Sequence, residues 1–277
     1  MAEFSLYELM ADLPPIEIID VGAFDLVSHP PPYAALVRAG RARLVGFEPY
    51  PQGVTQLMLK YGPPHRFLPL FIGAGGPAKF YATNRAWTGS LYAPNEPLLK
   101  TFGLHGETTV QGIHDVTTMR LDDVTDIDDA DFLKIDVQGG ELDVLKGADT
   151  TLAKIVMVQT EAEFVPLYRD VPLFAEIDMY LRGRGFVFHT FRDFGAFDAG
   201  VPAPAGQRPN QLLWADAVYI RDPFALATLS DTKLAKLAIL LHDLYGSHDL
   251  AHLCLRTLDA RHGGTAAATY RARVQPA

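Results

Sequence analysis

The stretch "DFLKIDVQGGELDVLKGA", residues 131–148, runs an apolar segment into Asp136, then into two glycines. A carboxylate at the end of a buried strand is costly unless it is paired or faces a crevice. Asp136 is therefore expected to open into a shared site, with Gly139 and Gly140 letting the backbone turn into a helix near Glu141. Acids recur in the same setting: Asp20 in "IIDVGA", Glu48 in "VGFEPYP" and Glu161 in "VQTEAE". Such groups can take a proton from an alcohol, accept hydrogen bonds from ribose hydroxyls or hold Mg²⁺. No third ligand is forced by the spacing, and no metal site is assigned.

Chemistry at these acids depends on the elements that carry them. Seven apolar runs cover residues 16–22, 42–49, 66–76, 130–137, 154–161, 185–191 and 211–221. Stretches of helical length lie between most of them: Tyr33 to Ala39, Gln52 to Tyr61, Glu141 to Lys146 and Leu173 to Arg184. Apolar runs without alternation, separated by helices, predict an α/β fold whose mixed seven-stranded sheet has helices on both faces. The last two runs lack a helix between them and read as an antiparallel pair, and Pro69 marks the third run as irregular.

In such a sheet ligands bind beyond the carboxyl ends of the strands. Those ends are Asp20-Val21-Gly22-Ala23, Glu48-Pro49, Ile72-Gly73, Asp136-Val137-Gln138-Gly139 and Glu161. Four of these five ends bring an acid to one rim. A dinucleotide needs a Gly-x-Gly-x-x-Gly loop against its pyrophosphate. Here the first loop is "DVGAFDLVSH", with one glycine and a further acid, Asp25. An acidic rim suits a cofactor without phosphate and with a cationic centre. S-adenosylmethionine fits that description, which favours methyl transfer over hydride transfer.

These stretches, with "TTMRLDDV" (117–124) and "QTEAEFVPLY" (159–168), resemble the FkbM-type S-adenosylmethionine-dependent methyltransferases over about Ile16 to Arg221. The resemblance implies a class I methyltransferase (Rossmann-like) fold and O-methylation of a sugar or other small-molecule hydroxyl. Members commonly read Gly-Ala-Asn-x-Gly in the first loop, where this chain has Gly22-Ala23-Phe24-Asp25-Leu26. Carried over by position, the resemblance puts Asp20, Gly22, Ala23, Glu48, Pro49, Ile72, Gly73, Val137 and Gln138 at the cofactor. Asp136 then lies nearest the methyl group. Either Asp136 or Glu161 takes the acceptor's proton, with Lys134 steering the pair. Ser90 and Asn84, from "TNRAWTGSLY", and Asn210 are expected at the acceptor, as is His189, an alternative base. Arg208 is a further candidate there.

Residues 1–222 are read as the methyltransferase domain, with an insertion at about 79–129 holding short strands in "KFYAT", "ETTVQG" and "VTTMRLDDV". Residues 223–277 are read as a helical extension. Leu234, Leu237, Ala238 and Leu241 fall at helical spacing until Gly246, and Ser247 is placed to cap a second helix ending at Gly263. This hairpin must pack on the main body or on a second subunit, so a homo-oligomer is one expectation, and residues 265–277 read as frayed.

The chain has 277 residues, 48% hydrophobic, with a net charge of −9, so a general binder of nucleic acid is not expected. There is no apolar run long enough for a membrane span. One cysteine, Cys254, and an N-terminus without a basic region leading an apolar stretch point to the cytoplasm. Two other functions compete: a nicotinamide-dependent oxidoreductase, and a non-catalytic assembly protein that keeps the fold.

Overall fold

All seven apolar runs contribute strands to one sheet. The computed structural model describes residues 4–10, 12–24, 30–204, 206–207 and 209–275; Asp25, Leu26 and Arg208 lie outside them. In chain order the strands are β1 (Ile16–Val21), β2 (Ala42–Phe47), β3 (Arg66–Leu68), β4 (Phe71–Ile72) and β5 (Gly76–Thr83). They continue as β6 (Val110–Met119), β7 (Phe132–Ile135), β8 (Met157–Glu163), β9 (Phe186–Ala196) and β10 (Leu212–Arg221). The main sheet has the order β3-β2-β1-β7-β8-β10-β9. Its first five strands pair in parallel, while β10 is antiparallel to both β8 and β9. The expected mixed α/β sheet and its antiparallel final pair are both present.

Strands buried on two faces sort their apolar residues by alternation. Ile16, Ile18, Leu44, Phe132, Val218 and Ile220 face one core. Ile19, Val21, Leu133, Ile135, Val158 and Tyr219 face the other. The first core is closed by α1 (Ala34–Arg38), α2 (Pro51–Tyr61) and three C-terminal helices, α7 (Asp231–Tyr245), α8 (His248–His262) and α9 (Ala266–Val274). The second is closed by α4 (Glu141–Lys146), α5 (Asp149–Lys154) and α6 (Phe174–Arg182). A short helix, α3 (Glu96–Thr101), belongs to the insertion.

The C-terminal helices are part of the main body. Leu234, Leu237, Ala238 and Leu241 of α7 are all buried in the first core, so the apolar stripe faces the sheet. A charged junction fixes its register. Asp131, just before β7, is fully buried and accepts hydrogen bonds from Lys236 Nζ at 2.6 Å, Lys233 Nζ at 2.7 Å and the Glu17 amide at 2.8 Å. The other end of α7 holds the chain's beginning. Asp243 accepts from the Leu6 amide at 2.8 Å, and His242 Nε2 lies 2.8 Å from the Phe4 carbonyl.

Four local expectations are corrected. The run 66–76 is not one strand: β3 joins the main sheet, and β4 leaves it to pair with β6 in a second sheet of order β4-β6-β5. Pro69 between them has no N–H for the ladder. "ETTVQG" and "VTTMRLDDV" are not separate strands, because residues 110–119 form the single strand β6 against β5. The tail is not frayed over 266–274: Asp259 accepts from the Ala266 and Ala267 amides at 2.9 and 2.8 Å, which caps α9, and Tyr270 is buried. The hairpin is thus a three-helix unit. Ser247 precedes α8 without a side-chain cap bond; its hydroxyl lies 2.7 Å from His189 Nε2 instead.

Candidate active site

The carboxyl ends of β1, β2 and β7, the side of β8 and β10, and the insertion enclose a cleft of about 990 Å³. Asp20, Glu48, Asp136, Glu161 and Asp216 all line it, with Lys134 among them. Strand register puts them together. Asp20 pairs with Lys134 across β1 and β7, and Glu161 pairs with Asp216 across β8 and β10. The loop after β1 is pressed against the end of β7. A side chain on Gly22 (φ +81°) would place its Cβ 1.9 Å from the Asp136 carbonyl oxygen. The glycine is required there by chain against chain.

Lys134 is the central cation. Its Nζ lies 3.5 Å from Asp20 Oδ1 and 3.6 Å from Asp136 Oδ2. Burial opposes its charge, but Asp20, Asp136 and Asp216 outweigh that and hold its pKa above the usual lysine value. The other oxygen of Asp20 accepts from the Tyr33 hydroxyl. Asp20 Oδ1 is buried and has no hydrogen bond of good geometry. Glu48 Oε1 accepts from the Tyr50 amide at 2.8 Å. Burial nonetheless raises the Glu48 carboxyl to about 6, against that bond.

Asp136 and Glu161 meet at Gln138. The Gln138 Nε2 donates to Asp136 Oδ1 at 2.9 Å and to Glu161 Oε2 at 2.8 Å. Burial, and then the charge of Asp136, raise the Glu161 carboxyl well above the usual range. Behind them the acids are deeper. Burial raises Glu141 to about 7 and Glu163 to about 9. Asp216, whose Oδ2 accepts from Gln159, is raised to about 6 by burial and then by Asp136.

Of the cofactor candidates, Asp20, Gly22, Glu48, Pro49, Ile72, Val137 and Gln138 line the cleft. Ala23 and Gly73 do not: Ala23 is in the core beneath α1, and Gly73 packs against Thr118. Glu161 lines the cleft but does not end its strand, since β8 continues to Glu163 alongside β10. Of the acceptor candidates, Ser90 lines the cleft, and its hydroxyl is already donated to the Gln138 carbonyl at 2.5 Å. Asn84 is spent inside the insertion, donating to the Gly106 carbonyl at 2.6 Å. Asn210 lines a separate depression beside Phe197 and Pro202. His189 is turned away from the cleft to Ser247.

Residues that sequence reasoning missed include Asp216, Gln159, Tyr168 and Arg192. Asp216 carried a signal. It interrupts the apolar run "LLWADAVYI" as Asp136 ends its own run. Arg192 was hidden by a bulge: Asp216 opposes Arg192 but Trp214 opposes Gly195, and Asp193 between them has φ +47°. Arg192, Phe194 and Phe197 line the cleft, as does Trp87.

Among the described residues no helix is long and apolar enough to cross a membrane. No curated protein matches the chain. A solved structure described as that of a candidate methyltransferase from Thermoplasma acidophilum is 10% identical, with a TM-score of 0.39. That match covers 80% of this chain and 76% of the other. The model of the methyltransferase FkbM domain matches residues 20–188, a span that runs from Asp20 through Glu48, Lys134, Asp136, Gln138 and Glu161. With its acids gathered in one cleft and most of its length under that match, the chain belongs to the FkbM methyltransferase family.

Proposed function

We propose that the protein transfers a methyl group from S-adenosylmethionine to a hydroxyl of a sugar or related small molecule. The observation that carries this reading is the convergence of Asp20, Glu48 and Asp136 on one cleft. Its volume of about 990 Å³ is near the top of the range, roughly 300–1,000 Å³, that small-ligand sites occupy. The residues fit such a cofactor. Asp20, ion-paired to Lys134 through Oδ1, lines the cleft beside Gly22 and adds negative charge that suits a cationic cofactor. Glu48 holds one backbone bond through Oε1, which leaves Oε2 for ribose hydroxyls. When bound, S-adenosylmethionine supplies an electrophilic methyl group on a sulfonium sulfur.

The chain's own task is to orient the acceptor and take its proton. Asp136 is the group that does so. Its side chain is 42% exposed to the cleft, and its Oδ2 has only the 3.6 Å ion pair with Lys134. Burial and then the charge of Asp136 push the Glu161 carboxyl toward its neutral form, and it stands behind Asp136. The aromatic wall of Trp87, Phe194, Phe197 and Trp214 gives the acceptor's body a surface to lie on.

Calorimetry with S-adenosylhomocysteine tests the reading. One equivalent should bind, and Glu48→Ala should weaken binding at least about tenfold, one lost charged hydrogen bond at about 1.5–3 kcal/mol. Because the Glu48 carboxyl titrates near 6, affinity should rise as pH increases through that value. Absence of binding by the unmodified protein at pH 8 would sink the proposal.

A further inference from the structure

We infer that Gln138 is a positioning residue whose side-chain amide holds the Asp136 and Glu161 carboxylates as one unit at the cleft. The side-chain amide and the backbone carbonyl of this residue are all committed. One Nε2 contact reaches Asp136 Oδ1 at 2.9 Å and the other reaches Glu161 Oε2 at 2.8 Å. Its Oε1 accepts from the Tyr168 hydroxyl at 3.0 Å, and its backbone carbonyl accepts from Ser90. The orientation of the amide follows from charge. Turned over, its oxygen would face two acids and its NH₂ would lose both acceptors.

The backbone is held to suit. Gln138 has φ +58°, a left-handed conformation that is rare outside glycine. Such strain persists only where the surroundings over-determine it, and here the Ser90 hydroxyl and the two acids do so. An extended backbone at this point would carry the amide away from β8. The positive φ thus links the turn after β7 to the acid on the neighbouring strand.

The electrical setting gives the amide its purpose. Around Glu161 stand Asp136 from the loop after β7, Glu141 from α4, Glu163 from β8 itself, Asp216 from β10, and Tyr168, with Lys134 of β7 paired to Asp136. All but Lys134 and Tyr168 are acids. Two N–H donors shared between Asp136 and Glu161 hold the two carboxyl groups at a fixed separation, and the bond to Glu161 favours its charged form against burial. Without that bond Glu161 should retain its proton to higher pH, and Asp136 would lose the group that fixes its Oδ1. The proposal concerns the protein's own acids, though their use in catalysis rests on the methyl-transfer reading.

The test needs neither cofactor nor acceptor. Side-chain carboxyl ¹³C resonances of Asp136 and Glu161 are followed against pH in the unmodified protein, in Gln138→Leu and in Gln138→Glu. The titration of Glu161 should move up by about one pH unit in the leucine variant and further in the glutamate variant, which adds another acid. An unmoved titration in either folded variant overturns the proposal. Loss of the fold in both variants, read by circular dichroism, assigns Gln138 a structural role and overturns it as well. S-adenosylhomocysteine binding by the unmodified protein is measured in parallel, as the separate test of the methyl-transfer reading. If the unmodified protein binds none, the methyl-transfer reading fails while the titration still decides the role of Gln138.

Discussion

Asp136 and Glu161 have the same chemistry and opposite environments. Asp136 opens to the cleft beside Lys134, whereas Glu161 is driven by burial toward its neutral form. Exchanging Asp136 for Asn should lower turnover about 10²–10⁴-fold, the usual loss for a removed general base, while the thermal transition changes little. Turnover within a few-fold of the unmodified enzyme would remove Asp136 from the reaction. Glu163 makes a prediction about stability. Burial raises its carboxyl from 4.5 to about 9. A raised folded-state pKa stabilises fully below about 4.5, and that contribution falls as pH rises, until it is gone above about 9. Glu163→Gln should therefore gain on the unmodified protein in thermal scans from pH 5 to pH 9; parallel curves would show that Glu163 is not buried as described.

At the scale of elements, the site is made where the turn after β1 touches the turn after β7. Gly22→Ala should cost more than its backbone strain of about 1–2 kcal/mol, because the new Cβ meets the Asp136 carbonyl. Gly40→Ala is the comparison: its φ is +67° but nothing lies within 4 Å of the added carbon. The first variant should melt several degrees lower than the second; equal melting points would mean that the two turns do not press together. The sequence made these turns readable because β-branched runs ended in Asp20 or Asp136 followed by glycine. It concealed what depends on pairing across the sheet. Glu161 reads as a strand end, but β10 extends its ladder by two residues, and β10 also brings up Asp216. The bulge at Asp193 leaves no local mark in "HTFRDFGAF". Asn84 and His189 are polar groups on suitable elements, and only tertiary packing turned them toward Gly106 and Ser247.

For the whole molecule, the C-terminal helices decide whether the sheet exists. A chain ending at Ser230 would uncover Ile16, Ile18, Leu44 and Phe132 and would leave Asp131 buried or half-buried without Lys233 and Lys236. Breaking a buried ion pair alone costs about 3–5 kcal/mol, a large share of a domain's stability. The truncated chain should aggregate or lack a cooperative transition, as read by size-exclusion chromatography and circular dichroism; a folded fragment would refute this account of α7. The apolar spacing of α7 also hinted at self-association, yet that stripe is consumed by the chain's own sheet. There is a consequence for biogenesis. β1 and β2 lean on α7, which begins at Asp231, about 180 residues after β2 ends at Phe47. At about 5–20 residues per second that separation keeps the first strands waiting on the order of ten seconds or longer for their cover, so the first core closes only once α7 has been made.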